Sequence, residues 1–240
     1  MQDHCGCGGD RPTDPQEGWR KSLETIDLWT PYERMLQARA SSGACIANIK
    51  QAERAEVLGL GAEVANLYRG RAERENNQTL RLTHAAEEAL RARRESPDWA
   101  DLSAQLNDLI SRPETQELIG EYRQRWVEIL LETDVAADDA GQMLEIWDEA
   151  SESLSGGGMD GLLDWTQHRL ERNHEIFQAP EYGRGPNSPL TAAQAACVAA
   201  VVAATLAALI ACAYIPFCWC CLAPLIAWGA EAATAACARL

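Results

Sequence analysis

Between residues 99 and 177 apolar side chains return every third or fourth position, the spacing that lines one face of an α-helix. Trp99, Leu102, Leu106, Leu109 and Ile110 form one stripe. Leu118, Ile119, Tyr122, Trp126, Ile129 and Leu130 form a second, and Met143, Ile146 and Trp147 a third. Leu162, Leu163, Trp165, Leu170 and Phe177 complete the series. Alternating β-branched runs are missing, and phenylalanine occurs only twice, so the pattern does not ask for strands. Residues 15–179 read as roughly five to seven short amphipathic helices around a Trp, Leu and Ile core.

Punctuation along the chain agrees with this. Thr30-Pro31 and Ser96-Pro97-Asp98 each place a hydroxyl before a proline, the combination expected of an N-cap and first helical position. Pro113-Glu114 opens a further helix with a carboxylate at the positive end of its dipole. Gly156-Gly157-Gly158, followed by Asp160-Gly161, is expected to break one helix and restart the next. Leu58-Gly59-Leu60-Gly61 has neither the third glycine nor the acidic partner of a dinucleotide fingerprint and reads as a turn between helices. Residues 69–75 and 91–95 are charged all round and read as solvated helix faces or ends. Residues 1–14, rich in Gly, Pro and Asp, read as a flexible tail, and residues 180–190, with three prolines and two glycines, as a linker.

Beyond the linker the polarity inverts. Gly185 to Ala230 is 46 residues without a charge, and residues 191–240 hold twenty alanines and six of the nine cysteines. Ala192 to Ile215 is long enough as a helix to cross a ~30 Å hydrocarbon layer. Pro216 ends it, and Pro224 can start a second helix after a short turn. That second arm is uncharged only from Phe217 to Ala230, about 21 Å of helix, which falls short of a bilayer core. Residues 191–240 are therefore expected to form a lopsided hydrophobic helical hairpin that dips into a leaflet or inserts conditionally. Tyr214, Trp219 and Trp228 suit a membrane interface. The predicted class is all-α, an acidic multi-helix bundle followed by this cysteine-rich hairpin.

The cysteine register sharpens the expectation. Cys197 with Cys237, and Cys212 with Cys221, both fit one antiparallel hairpin centred near Phe217. Cys197 and Cys212 lie about 60° apart in helical phase and share a face. Small alanines would let the arms approach to the ~5.5–6 Å between Cα atoms that a bridge needs. The alternative is that these cysteines are simply small apolar residues in Ala-rich helices. Cys218 and Cys220 are left over as free thiols or lipidation sites.

The net charge of −15 falls wholly on residues 1–190, because Glu231 and Arg239 cancel. So acidic a body repels phosphate backbones, which argues against nucleic acid as a partner and leaves membrane lipid and a protein partner for the acidic domain. The first residues, MQDHCGCGGDRPTDPQ, carry neither the basic nor the apolar stretch of a secretory signal. Cytoplasmic synthesis followed by membrane association is expected, although nine cysteines are many for a reducing compartment.

No enzyme, cofactor or metal is expected. His4-Cys5-Gly6-Cys7 is spaced too tightly for a usual zinc pair and lacks a second half unless Cys45 supplies it. Glu171-x-x-His174, with His168 a turn earlier, is half of a di-iron carboxylate motif; the other half is missing, since Arg81 precedes His84. Asn77-Gln78-Thr79 matches a glycosylation acceptor that a chain without a signal does not present to the enzyme.

The layout of a cysteine-rich hydrophobic tail behind a larger acidic domain resembles the precursors of halocin-type bacteriocins. The end of the chain, Gly229-Ala230-Glu231-Ala232 through Ala236-Cys237-Ala238-Arg239, is similar in texture to the end of such peptides. The cysteines are fewer than in that family, and no export signal precedes them. The resemblance implies a membrane-directed, antimicrobial tail, exported after release, and a front domain that shields it. The competing expectation is a cytoplasmic scaffold whose hairpin is a membrane anchor or partner-binding surface.

Overall fold

A computed structural model describes residue 14, residues 16–132, 137–178 and 189–214, and residues 226, 228–234 and 237; side chains are described for most of these. Among them the chain is all-helical: α1 (Glu17–Thr25), α2 (Trp29–Val57), α3 (Ala62–Arg94), α4 (Trp99–Ile110), α5 (Pro113–Glu132), α6 (Ala137–Gln178) and α7 (Pro189–Tyr214), with further helical residues at 228–234.

The apolar stripes point inward as their spacing requires. Trp99, Leu106 and Ile110 of α4 are buried, as are Leu118, Ile119, Tyr122, Trp126 and Leu130 of α5. Trp126 and Trp147 meet with ring centroids 5.4 Å apart. Pro113 opens α5, and Gly59 and Gly61, both at positive φ, make the turn between α2 and α3.

The helices before the linker are longer than expected. α2 has 29 residues and α3 has 33, so they run about 43 and 50 Å, respectively. They pair antiparallel, the most extensive contact among the described helices. The main core takes Tyr32, Met35 and Leu36 from α2 and Ala86 and Leu90 from α3. Cys45, Ile46, Ala52, Ala55, Ala65 and Ala72 are buried but lie outside that core. The distal halves thus form a two-helix arm closed on its own small residues, which periodicity of large apolar positions does not register.

Two expected caps move. α2 begins at Trp29, so Thr30 is inside the helix and not its cap. Ser96 closes α3, its hydroxyl donating to the Arg93 carbonyl oxygen at 2.6 Å, and Asp98 stands at the N-cap of α4 without a side-chain cap bond.

α6 breaks where the glycine triplet predicts. Gly158 has φ 63 and ψ −152, a conformation open essentially to glycine alone. A Cβ there would lie 2.1 Å from Asn107 Oδ1. That oxygen instead accepts the Met159 N–H at 2.9 Å, so α4 holds the break. Asp160, two residues on, accepts from Trp99 Nε1 and Ser103 Oγ, each at 2.8 Å.

α7 is the centre of the assembly. Pro189 and Leu190, read as linker, already belong to it. It packs against α1, α2, α4, α5 and α6, and its residues share one continuous core with theirs. The apolar segment is therefore not an appendage standing off a finished bundle; the front helices close around it. The physical reason is that a helix apolar on every side has no face to offer water and is stable only when surrounded.

Candidate functional site

The distinctive site is the sheathed apolar helix and its return. From Ala196 to Cys212 every residue of α7 is buried; Val198, Val201, Val202, Leu206, Leu209 and Ile210 are wholly inaccessible. Ala195–Tyr214 is long and apolar enough to cross a membrane, and nearly all of it is buried. Its one interior hydroxyl, Thr205, donates to the Val201 carbonyl at 2.8 Å and leaves no polar group to hydrate.

The returning segment lies back on α7. Cys197 and Cys237 form a disulfide with Cα atoms 5.6 Å apart. Both sulfurs are buried, and Ile226, Ala230, Ala233 and Thr234 are buried with them. Cys212 is also disulfide-bonded, but its partner lies outside the described residues, as do Cys218, Trp219, Cys220 and Cys221. The tail with His4, Cys5 and Cys7, and the linker up to residue 188, are likewise outside them.

Of the interface aromatics, Tyr214 is half-buried and its hydroxyl donates to Gln105 Oε1 at 3.4 Å, tying the end of α7 to α4. Trp228 is 36% exposed. Arg39 of α2 reaches the return segment, Nη1 donating to the Ala233 carbonyl at 3.4 Å.

Polar junctions built on arginine also join the sheath helices. The Arg93 guanidinium is buried, donates from Nε to the Ile26 carbonyl at 3.0 Å, grips both Asp98 oxygens at 3.0 and 3.1 Å, and stacks over the Trp99 ring at 5.1 Å. The Ile26 carbonyl sits at the end of α1 beside Asp27, whose φ is 54, so Arg93 caps a tight turn that carries no glycine. Arg94 pairs with Asp164, joining α3 to α6. Arg123 grips Asp148 at 2.6 and 2.8 Å, joining α5 to α6. Hydrogen bonds from Arg93 and Arg123 hold the Asp98 and Asp148 carboxyls below the usual carboxylate range. Burial pushes the Tyr122 hydroxyl up to about 12 and the Cys45 thiol up to about 11; Glu75 adds to the latter.

Among the described residues an apolar patch is left open. At the far end of the α2–α3 arm Val57, Leu58, Leu60 and Leu67 are 86%, 58%, 56% and 54% exposed. The sequence reads Leu58-Gly59-Leu60-Gly61 as a turn, but nothing in its spacing marks the leucines as exposed. Glu56 and Arg69 pair beside them.

Of the half di-iron motif and its neighbour, Glu171 and His168 are exposed helix surface, His168 Nδ1 standing 3.9 Å from Glu171 Oε2, whereas His174 is half-buried and its Nδ1 is buried without a hydrogen-bond partner. Among the described residues no group of three His, Cys, Asp or Glu side chains gathers as a metal site. Comparisons with protein-family models, curated proteins and solved structures return no match.

Proposed function

We propose that this chain is a non-enzymatic, membrane-active protein that stores an apolar, disulfide-tied hairpin inside an acidic helical sheath and delivers it to a lipid bilayer. The observation that carries the reading is α7: a helix of membrane-spanning length, apolar on all sides, enclosed by five others. Folding it inside the sheath removes from water the surface that would otherwise drive aggregation, and a bilayer offers the same surface an equivalent solvent. Carboxylates dominate the outside, so the stored form is soluble while its cargo is not. A bacteriocin-like precursor, in which residues 191–240 are the active and finally exported peptide, is the specific form of this proposal.

The test combines vesicles with hydrogen exchange. Under conditions that open the sheath, residues 195–214 are expected to lose protection in solution and regain it on phosphatidylcholine–phosphatidylglycerol vesicles, with release of a trapped dye. Mass spectrometry with thiol blocking would find a fragment covering residues 191–240, lighter by two protons per bridge. If the opened protein neither associates with vesicles nor leaks them, the membrane role is lost.

A second reading, a cytoplasmic scaffold, is favoured by the exposed arm tip. There α7 is only the core around which the bundle folds, and Val57, Leu58, Leu60 and Leu67 contact a protein partner. It expects α7 to stay protected in every state that binds.

A further inference from the structure

A small cavity lies where α2, α3, α6 and α7 meet. It has a volume of about 20 Å³, and its polar lining is Arg39, Ser42, Thr79, Thr83 and Asn173, with Cys197 of the disulfide as one wall. The lining contains no carboxylate. This composition is unexpected in a chain with 36 acidic residues.

Arg39 is the key residue. Its Nε is buried and has no hydrogen-bond partner, and its one contact is the long bond from Nη1 to the Ala233 carbonyl. No carboxylate lies within ion-pair distance of it among the described residues; Glu75, the nearest acid along α3 from Thr79, accepts from Ser41 at 3.3 Å instead. Burial pulls the Arg39 pKa down, with no neighbouring charge to oppose it. Ser42, one turn along α2, is 4% exposed, and its Oγ is buried without a partner. Two orphaned donors on one helix face therefore line the same cavity, one of them part of a cation. Buried donors without acceptors are costly, and the Arg39 guanidinium, half-buried as a whole, has no counter-charge beside it among the described residues.

We propose that this cavity binds one small monovalent anion, held by Arg39 and the Ser42 hydroxyl. Its volume of about 20 Å³ leaves room for a single small ligand. An anion gives both donors an acceptor and the half-buried guanidinium a counter-charge. Because Ala196, Cys197 and Ala200 of α7 form the opposite wall, the bound ion ties the sheath to the stapled hairpin. The proposal stands on the cavity and does not require the membrane reading.

The experiment is thermal unfolding in sodium chloride and sodium bromide against sodium gluconate at equal ionic strength, with crystals grown in bromide as the second measurement. The wild-type Tm is expected to rise with halide concentration and stay flat in gluconate, with an anomalous bromide peak between Arg39 and Ser42. Ser42→Ala is expected to weaken the apparent halide affinity about tenfold, and Arg39→Gln to remove the dependence. If Arg39→Gln fails to fold, the Ser42→Ala shift and the bromide peak decide. Equal Tm values in chloride and gluconate with no bromide peak overturn the proposal, as does a halide dependence that Arg39→Gln and Ser42→Ala both retain.

Discussion

Removing the Cys197–Cys237 bridge gives a worked test of how the hairpin is held. The two residues are 40 apart in sequence. Closing a loop of that length lowers the entropy of the unfolded chain by an amount worth about 4 kcal/mol at room temperature. The folded state loses little when the bridge is deleted, because Ile226, Ala230 and Ala233 stay packed against the same core. The paired variant Cys197→Ala/Cys237→Ala is preferable to reduction, which would also open the bridge at Cys212. With a urea dependence of about 3 kcal/mol per molar for a chain of this size, the unfolding midpoint should fall by roughly 1 M. The slope should rise, since the unbridged chain exposes more surface on unfolding. The assay is urea unfolding followed by tryptophan fluorescence, which Trp19, Trp126 and Trp147, all fully buried, report well. An unchanged midpoint, with mass spectrometry confirming the bridge in the wild type, would refute the claim that this crosslink holds the return segment against α7.

Three further outcomes are expected. Gly158→Ala should destabilise by about 2–4 kcal/mol, because it forces a Cβ onto Asn107 and a side chain into a glycine conformation; Asn107→Ala should cost about 1 kcal/mol through the Met159 N–H, and calorimetry that finds Gly158→Ala neutral would contradict the held break. Asp98, Asp148 and Glu17 have carboxyls lowered in the fold by Arg93, Arg123 and Lys21, respectively, so their contribution is complete above the unfolded value near ~4 and drains away as pH falls below it. Stability should be level in this respect from neutrality to about pH 4 and drop beneath it, with Arg93→Gln flattening that acid limb as well as lowering overall stability; a loss centred near pH 6 would point to other groups. Cys45, buried with its thiol raised to about 11, should react with a disulfide reagent at pH 8 far more slowly in the folded protein than in urea, and equal rates would show the arm open in solution.

The acid prediction also constrains delivery. The Asp98 and Asp148 carboxyls titrate below the usual range, so mild acidity alone does not loosen the sheath through them. For the proposed delivery, a bilayer surface, cleavage between α6 and α7, or a partner at the arm tip would supply the remainder.

Much of the architecture was legible because it is written locally. Proline at the start of α5, glycines at the α2–α3 turn, the triple glycine in α6 and the 3.6-residue stripes each act through their own backbone or nearest turn. The reach of α2 and α3 was not, because alanine–alanine contacts such as those around Ala52, Ala55, Ala65 and Ala72 leave no contrast of large apolar against polar positions to read. The Cys197–Cys237 pair was legible as a register but not as a bond, since the same numbers also fit unpaired cysteines in an alanine-rich helix.

The sequence alone dictated helices, several of their breaks, and one uncharged segment that had to leave water. It did not determine where that segment would go, for a bilayer, a partner and the protein's own interior are equivalent solvents to an all-apolar helix. Tertiary structure decided for the interior, by bringing stripes from α1, α2, α4, α5 and α6 around α7. It also gathered Arg39, Ser42, Thr79 and Asn173 from three helices into one cavity. Their proximity depends on helix packing across more than a hundred residues of chain, and no spacing along the sequence carries it.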